Sequence, residues 1–210
     1  MDGKLIVFEG VEGCGKTTTM QLTYAWLQNL GVSAVVTREP GGTALGLDLR
    51  RLLLESTENL IGDTTELLLY AADRSQHVEQ ELKPHLEKGN FILCDRYINS
   101  TIAYQGYGRG LNMNLIDQLN FIATGGLEAD LTLWLDVDIE VGLNRKRGDG
   151  EEDRIELEAV SFHRRVQQGY AELADKNDKI VRIDASLNKE AVLKMIQVSL
   201  SEYLKVWGYI

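Results

Sequence analysis

Residues 4–17 read KLIVFEGVEGCGKT, an apolar run delivered into Gly10-x-x-x-x-Gly15-Lys16-Thr17, which is the spacing of a phosphate-cradling loop. A segment of helical period follows, so the loop has the strand before it and the helix after it that this chemistry needs. Gly10, Gly13 and Gly15 let the backbone approach phosphate oxygens, and successive amides form an anion nest at a helix N-terminus. Lys16 adds a cation near the β- and γ-phosphates, and the Thr17 hydroxyl can ligate Mg²⁺. A dinucleotide-binding fingerprint fits worse, because Thr18 stands where its third glycine belongs. The loop therefore reads as a nucleoside triphosphate site built from Gly10, Val11, Glu12, Gly13, Cys14, Gly15, Lys16, Thr17 and Thr18.

A strand that feeds such a loop belongs to an α/β sheet, and the rest of the chain has the matching rhythm. Short apolar runs at 4–9, 33–37, 91–95, 131–136 and 179–183 predict strands. Three of them are nearly continuous in apolar residues, as when helices cover both faces of a parallel sheet. Helices are predicted over 15–30, 43–55, 64–88, 112–124, 155–175 and 188–206, with Pro84 bending the third near its end. The fold predicted is α/β: a three-layer P-loop NTPase architecture, with a five-stranded parallel sheet flanked by helices. It spans 1–210 as one domain. In such sheets ligands bind at the carboxyl ends of the strands, and there lie Glu9, Arg38 and Glu39, Asp95 and Arg96, and Asp136. The charged stretch NRKRGDGEEDRIE at 144–156 reads as a short mobile lid between two helices.

Composition narrows the partners. Hydrophobic residues make up 44% and charged residues 26%, which suits a globular chain. The net charge of −10 repels a phosphodiester backbone and argues against a general nucleic-acid binder, while a small anion needs only a local patch of cations. Two cysteines, Cys14 and Cys94, are too few for a disulfide framework. No basic leader or membrane-length apolar run opens the sequence, so the cytoplasm is the expected compartment, with no membrane partner. His77, His85 and His163 are not spaced as a metal site and read as surface or helix-face residues.

Three further stretches carry chemistry, each with a plainer alternative. In CDRYINSTIAYQG (94–106), Asp95 ends a strand where a carboxylate can hold Mg²⁺ through water, and Arg96 can bind a phosphate. The alternative is a surface ion pair. Asp136 is a rival metal carboxylate and reads as structural. In ELLLYAADRSQH (66–77), Tyr70 and Arg74 lie one helical turn apart, so a ring and a guanidinium can stack on a base and bond its edge. The alternative is a core aromatic beside a solvated arginine. TREPGGT (37–43) precedes Arg50 and Arg51, either of which can reach a phosphate or simply face solvent. A GTPase would carry Asn-Lys-x-Asp; the nearest match, Asn188-Lys189-Glu190-Ala191, lacks the aspartate. A kinase and a non-catalytic nucleotide-binding module remain.

In combination, FEGVEGCGKTT, TREPGGT, LLLYAADR, DRYINSTIAYQG, LWLDV and DRIE, in this order along nearly the whole chain, resemble the thymidylate kinase family of P-loop nucleoside monophosphate kinases. The resemblance implies transfer of the ATP γ-phosphoryl group to dTMP, with Mg²⁺ as cofactor, by a homodimer. It implies that Arg96 and Arg50 hold the dTMP phosphate, Tyr70 stacks on the base, Arg74 reads its edge, Thr101 faces it and Tyr104 crowds the sugar 2′ position. Glu39, Pro40 and Gln105 complete that pocket, which spans about 38–75 and 95–106. Lys16, Asp95, Arg96 and Glu9 serve catalysis, with Thr17, Asp95 and Glu9 managing the metal. The loop itself carries no arginine, which is similar to the bacterial type, in which lid arginines, here Arg145 and Arg147, supply the missing charge. Asp149 departs from the usual basic residue of the lid, and Arg154 clamps the closed lid. A kinase for another monophosphate or small acceptor stays open as an alternative.

Overall fold

In the computed structural model, residues 2–55, 61–146 and 153–209 are described. Five strands, β1 (Lys4–Glu9), β2 (Ala34–Arg38), β3 (Phe91–Asp95), β4 (Leu131–Asp136) and β5 (Ile180–Asp184), form one parallel sheet in the order β2-β3-β1-β4-β5. Each predicted strand is present within one residue. Alternate side chains enter two cores: Ile6, Phe8, Phe91 and Leu93 pack on one face, and Leu5, Val7, Ile92 and Cys94 on the other. Both faces are dry, which is why these runs show no polar alternation.

The helices are α1 (Lys16–Asn29), α2 (Ala44–Leu54), α3 (Asp63–His77), α4 (Lys83–Glu87), α5 (Ile98–Thr101), α6 (Met113–Thr124), α7 (Ile139–Lys146), α8 (Val160–Lys176) and α9 (Lys189–Val206). Side-chain caps start four of them: Thr43 Oγ1 accepts from the Gly46 N–H at 2.9 Å, Asn112 Oδ1 from Leu115, Asp138 Oδ1 from Glu140 and Val141, and Asn188 Oδ1 from Ala191. Asn188 is thus the N-cap of α9. The predicted third helix continues past α3 through a π-helical turn, Val78–Leu82, into α4, which has Pro84 in its first turn. That position tolerates a residue without an N–H.

The structure differs from the sequence reading in three places. Residues 98–108 form α5 and a π-helical segment, Ile102–Gly108, and residues 139–146 form α7, neither of which was predicted; α8 begins at Val160 rather than 155. Both missed segments are short, and α5 and α7 follow closely on the ends of β3 and β4.

Candidate active site

At the carboxyl rim, where β1 is flanked by β3 and β4, a cleft of about 410 Å³ opens. This is the position at which open α/β sheets bind ligands. Its floor includes Gly13, Gly15, Lys16, Thr17 and Thr18. Gly13 has φ 69°, and a Cβ there would stand 2.0 Å from the Gly142 carbonyl oxygen of α7. The loop is therefore wedged against α7, and only a glycine permits that approach. The Lys16 ammonium donates to the Gly10 and Val11 carbonyls at 2.9 and 3.1 Å, so its charge lies inside the loop's curl.

Arg96 rises from the end of β3. Its Nη2 donates to Glu12 Oε1 at 2.6 Å, its guanidinium lies 4.9 Å from the Tyr104 ring centre, and Nη1 reaches Ser100 Oγ and Tyr170 Oη. It is the one non-glycine among the described residues with positive φ, 71°. Burial opposes its charge, but the groups around it, Tyr104 and Glu12 first, outweigh burial and push its pKa up. Burial likewise works against the Glu12 carboxylate; Arg96, Lys16 and the Tyr104 hydroxyl overcome it and hold its pKa below the ordinary value. The Tyr104 Oη donates to both Glu12 oxygens at 2.8 Å.

Glu9, expected beside the metal, stands behind the cleft. It is fully buried and accepts from the Tyr97 and Ser100 amides and from the Ser100 and Tyr170 hydroxyls at 2.6–3.0 Å. Burial raises its pKa against the pull of Arg96 and these donors. Since Ser100 and Tyr170 also accept from Arg96, the geometry makes Glu9 an anchor for Arg96.

The side of the cleft beyond Arg96 is a wall of cations. Arg74, only 2% exposed, donates Nε to Glu39 Oε2, Nη1 to Thr101 Oγ1 and Asn120 Oδ1, and Nη2 to the Tyr97 carbonyl, at 2.7–2.9 Å. Glu39 gives its other oxygen to His77 Nδ1, whose Nε2 meets Thr37. Tyr70 lines the cleft with Arg74. Arg50 enters it and donates to the Pro40 carbonyl at 3.1 Å; burial and then the nearby Arg38 lower its pKa. Arg51 is exposed and paired with Asp48 instead.

Asp95 fits an Mg²⁺ ligand set: its Oδ1 is buried and accepts no hydrogen bond from any described residue, and both it and Thr17 line the cleft. No group of three or more His, Cys, Asp or Glu side chains among the described residues could hold an ion alone. That suits a cation which keeps waters and is shared with substrate phosphates. Asp136 faces Arg182 and Gln167.

Of the predicted residues, the cleft brings together Glu12, Gly13, Gly15, Lys16, Thr17, Thr18, Glu39, Arg50, Tyr70, Arg74, Asp95, Arg96, Thr101, Tyr104, Gln105 and Arg145. Arg145 also donates to the Ala185 carbonyl at 3.1 Å. Gly10, Val11, Cys14 and Pro40 support the lining from behind; Arg147 and Asp149 lie outside the described residues. Arg38, Leu54, Ser100, Asp153, Ile155 and Glu156 line the cleft and were not named as site residues, although the last three fall in the predicted lid. Arg38 had a signal, its place at the end of β2. His77 and His163 lie on helices as read, yet both are buried, and neither His163 ring nitrogen has a hydrogen-bond partner among the described residues.

A parallel sheet with a phosphate loop at its rim and an arginine-lined pocket beside it defines a P-loop phosphotransferase of the nucleoside monophosphate kinase class. A family model described as thymidylate kinase matches residues 8–196. The chain is 71% identical over 208 residues to the thymidylate kinase of Nostoc punctiforme, covering 98% of this chain and 99% of that one. It is 68% identical over 210 residues to that of a Nostoc species, covering 99% and 100%. With that of Trichodesmium erythraeum it shares 56% over 225 residues, covering both in full. The chain belongs to the thymidylate kinase family.

Proposed function

We propose that this chain transfers the γ-phosphoryl group of ATP to dTMP, releasing ADP and dTDP, with Mg²⁺ as cofactor. One observation carries the reading: Arg96, flanking the acceptor pocket, meets Glu12 of the donor loop at 2.6 Å within a single cleft. Donor and acceptor anions bound on either side of that contact come end to end. Phosphoryl transfer asks the protein for position and charge rather than covalent chemistry. Lys16 and the loop amides hold the donor phosphates, while Arg96 and Arg50 hold the acceptor phosphate. Tyr70 stacks on the base, Arg74 and Thr101 meet its edge, and Tyr104 fills the space beside the sugar. Arg145 and Arg147 bring charge to the transferring group. Asp95 and Thr17 hold Mg²⁺, which neutralises charge on the β- and γ-phosphates. Glu9 contributes by anchoring Arg96. No general base is needed, because a phosphate oxygen is already ionised at neutral pH.

ADP release measured against dTMP, dUMP, dCMP, UMP and AMP tests this reading. Preference for dTMP supports it; release with another acceptor alone redirects it, and acceptor-independent behaviour favours a binding module.

A homodimer belongs to the same proposal. Helices α2, α3 and α6 pack side by side and leave Leu45, Leu52, Leu68, Leu115, Phe121 and Ile122 exposed, apolar side chains that a second copy would cover. Mass measurement by light scattering checks it. No described helix is long and apolar enough to cross a membrane, and a cytoplasmic location is the compartment proposed.

A further inference from the structure

Glu66 lies on α3, is fully buried and does not line the cleft, yet three donors from distant parts of the chain converge on it. Gln105 Nε2, from the π-helical segment, donates to Oε1 at 2.8 Å. Arg109 donates through Nε and Nη2 at 3.2 and 3.1 Å, and Arg154 donates through Nη2 to Oε2. Burial opposes the Glu66 charge, and these donors, Arg109 first, outweigh it and hold its pKa below the ordinary value.

Arg154 is fixed at a second point. Its Nε donates to the Leu53 carbonyl at 2.9 Å and its amide to the Leu54 carbonyl at 3.1 Å, tying it to the end of α2. Its neighbours Asp153, Ile155 and Glu156 line the cleft on one side, and Leu54 and Gln105 line it elsewhere. A carboxylate outside the cleft therefore holds together walls that the sequence separates. A buried carboxylate bonded to two guanidinium groups resists rearrangement, because moving one partner leaves uncompensated charge.

We propose that Glu66 is a positioning residue that makes the acceptor-pocket wall at Gln105 and the wall at 153–156 move as one body. Filling the acceptor pocket then fixes the 153–156 segment, which lines the same cleft as Lys16 and Thr17, and phosphoryl transfer is favoured over transfer to water. The inference rests on the kinase reading above.

The test uses the full-length protein and two rates, ADP release with dTMP and ADP release without it. For Glu66→Gln and for Arg154→Met the ratio of the first to the second should fall by roughly 5- to 150-fold, the span of ordinary coupling energies. The double variant should fall no further than Glu66→Gln alone, and Glu66→Asp should recover part of the ratio. A ratio within twofold of wild type in Arg154→Met overturns the proposal, as does a double variant whose loss is the product of the two single losses. Arg154→Met leaves Glu66 bonded to Arg109 and Gln105, so it carries the test if Glu66→Gln fails to fold. Wild-type protein without dTMP-dependent release overturns the kinase reading and this inference with it, an outcome visible before any variant is made.

Discussion

Arg96 and Glu12 are bonded to each other at 2.6 Å although 84 positions separate them, and each shifts the other toward its charged form. The pair joins the donor loop to the end of β3, so an acidic group inside a phosphate-binding loop is neutralised before any anion arrives. On the proposed mechanism an incoming phosphate would compete with Glu12 for the guanidinium.

Arg96→Ala should lower kcat/KM for dTMP by about 10³-fold or more, the scale of removing a charge that acts at the transferring group. ATP affinity measured by calorimetry should fall by no more than about tenfold, because Lys16 and the loop amides stay in place and the cost to the donor loop is the unpaired charge of Glu12. Unaltered turnover would take Arg96 out of the mechanism.

Asp95→Asn should raise the Mg²⁺ concentration for half-maximal rate by about 10- to 100-fold. Its melting temperature should not fall, since Oδ1 accepts no hydrogen bond from any described residue. A magnesium titration indistinguishable from wild type would show that this carboxylate does not serve the metal.

Gly142→Ala tests the wedge between loop and α7 from outside the motif. The added methyl would sit 2.6 Å from the Glu12 carbonyl oxygen, a backbone atom that cannot swing aside. ATP KM should rise by about tenfold with dTMP KM changing less, and stability should drop by about 1–3 kcal/mol. Equal increases in both constants would mean that the strain is not confined to the donor loop.

Asp73 gives a pH signature. Burial first, and then the negative charge of Glu39, push its pKa from 3.8 to about 6; one oxygen accepts from the Gly41 amide at 3.0 Å while the other is without a partner among the described residues. Its folded pKa is raised, so its contribution to stability is complete below about pH 4 and is lost as pH climbs through about 6. Asparagine keeps the acceptor for Gly41 without the charge. Asp73→Asn should therefore be more stable than wild type at pH 8 by on the order of 2 kcal/mol, with the gap closing toward pH 4. Denaturant melts at the two pH values check this; the depressed carboxylates Glu12 and Glu66 act equally in both proteins and cancel. A constant gap would refute the assignment.

The strands were legible because dry sheets write themselves as unbroken apolar runs, and the donor loop was legible because glycine spacing has few other uses. That arginines would line the cleft was legible, yet which of Arg50 and Arg51 faces inward depends on a helix rotation that only packing fixes. Glu9 and Asp95 look alike in sequence, each a carboxylate at a strand end, and the sequence does not reveal that Ser100 and Tyr170 turn toward Glu9 while Asp95 Oδ1 has no hydrogen-bond partner among the described residues. Glu66 was unreadable for the same reason, since its three donors come from the π-helical segment, the residue just after it and the segment following α7. His77 was placed on a helix correctly, but its burial follows from the Glu39 and Thr37 contacts, which no local pattern predicts.

The left-handed backbone at Arg96 holds a trade written into one residue. A side-chain-bearing residue in that conformation costs roughly 1–2 kcal/mol that glycine would not. A library screened only for heat tolerance would be free to exchange Arg96 for glycine together with Glu12 for glutamine, and could gain ruggedness while going silent as a catalyst. Thermostability engineering of this scaffold should therefore hold that position fixed and look for its gains elsewhere.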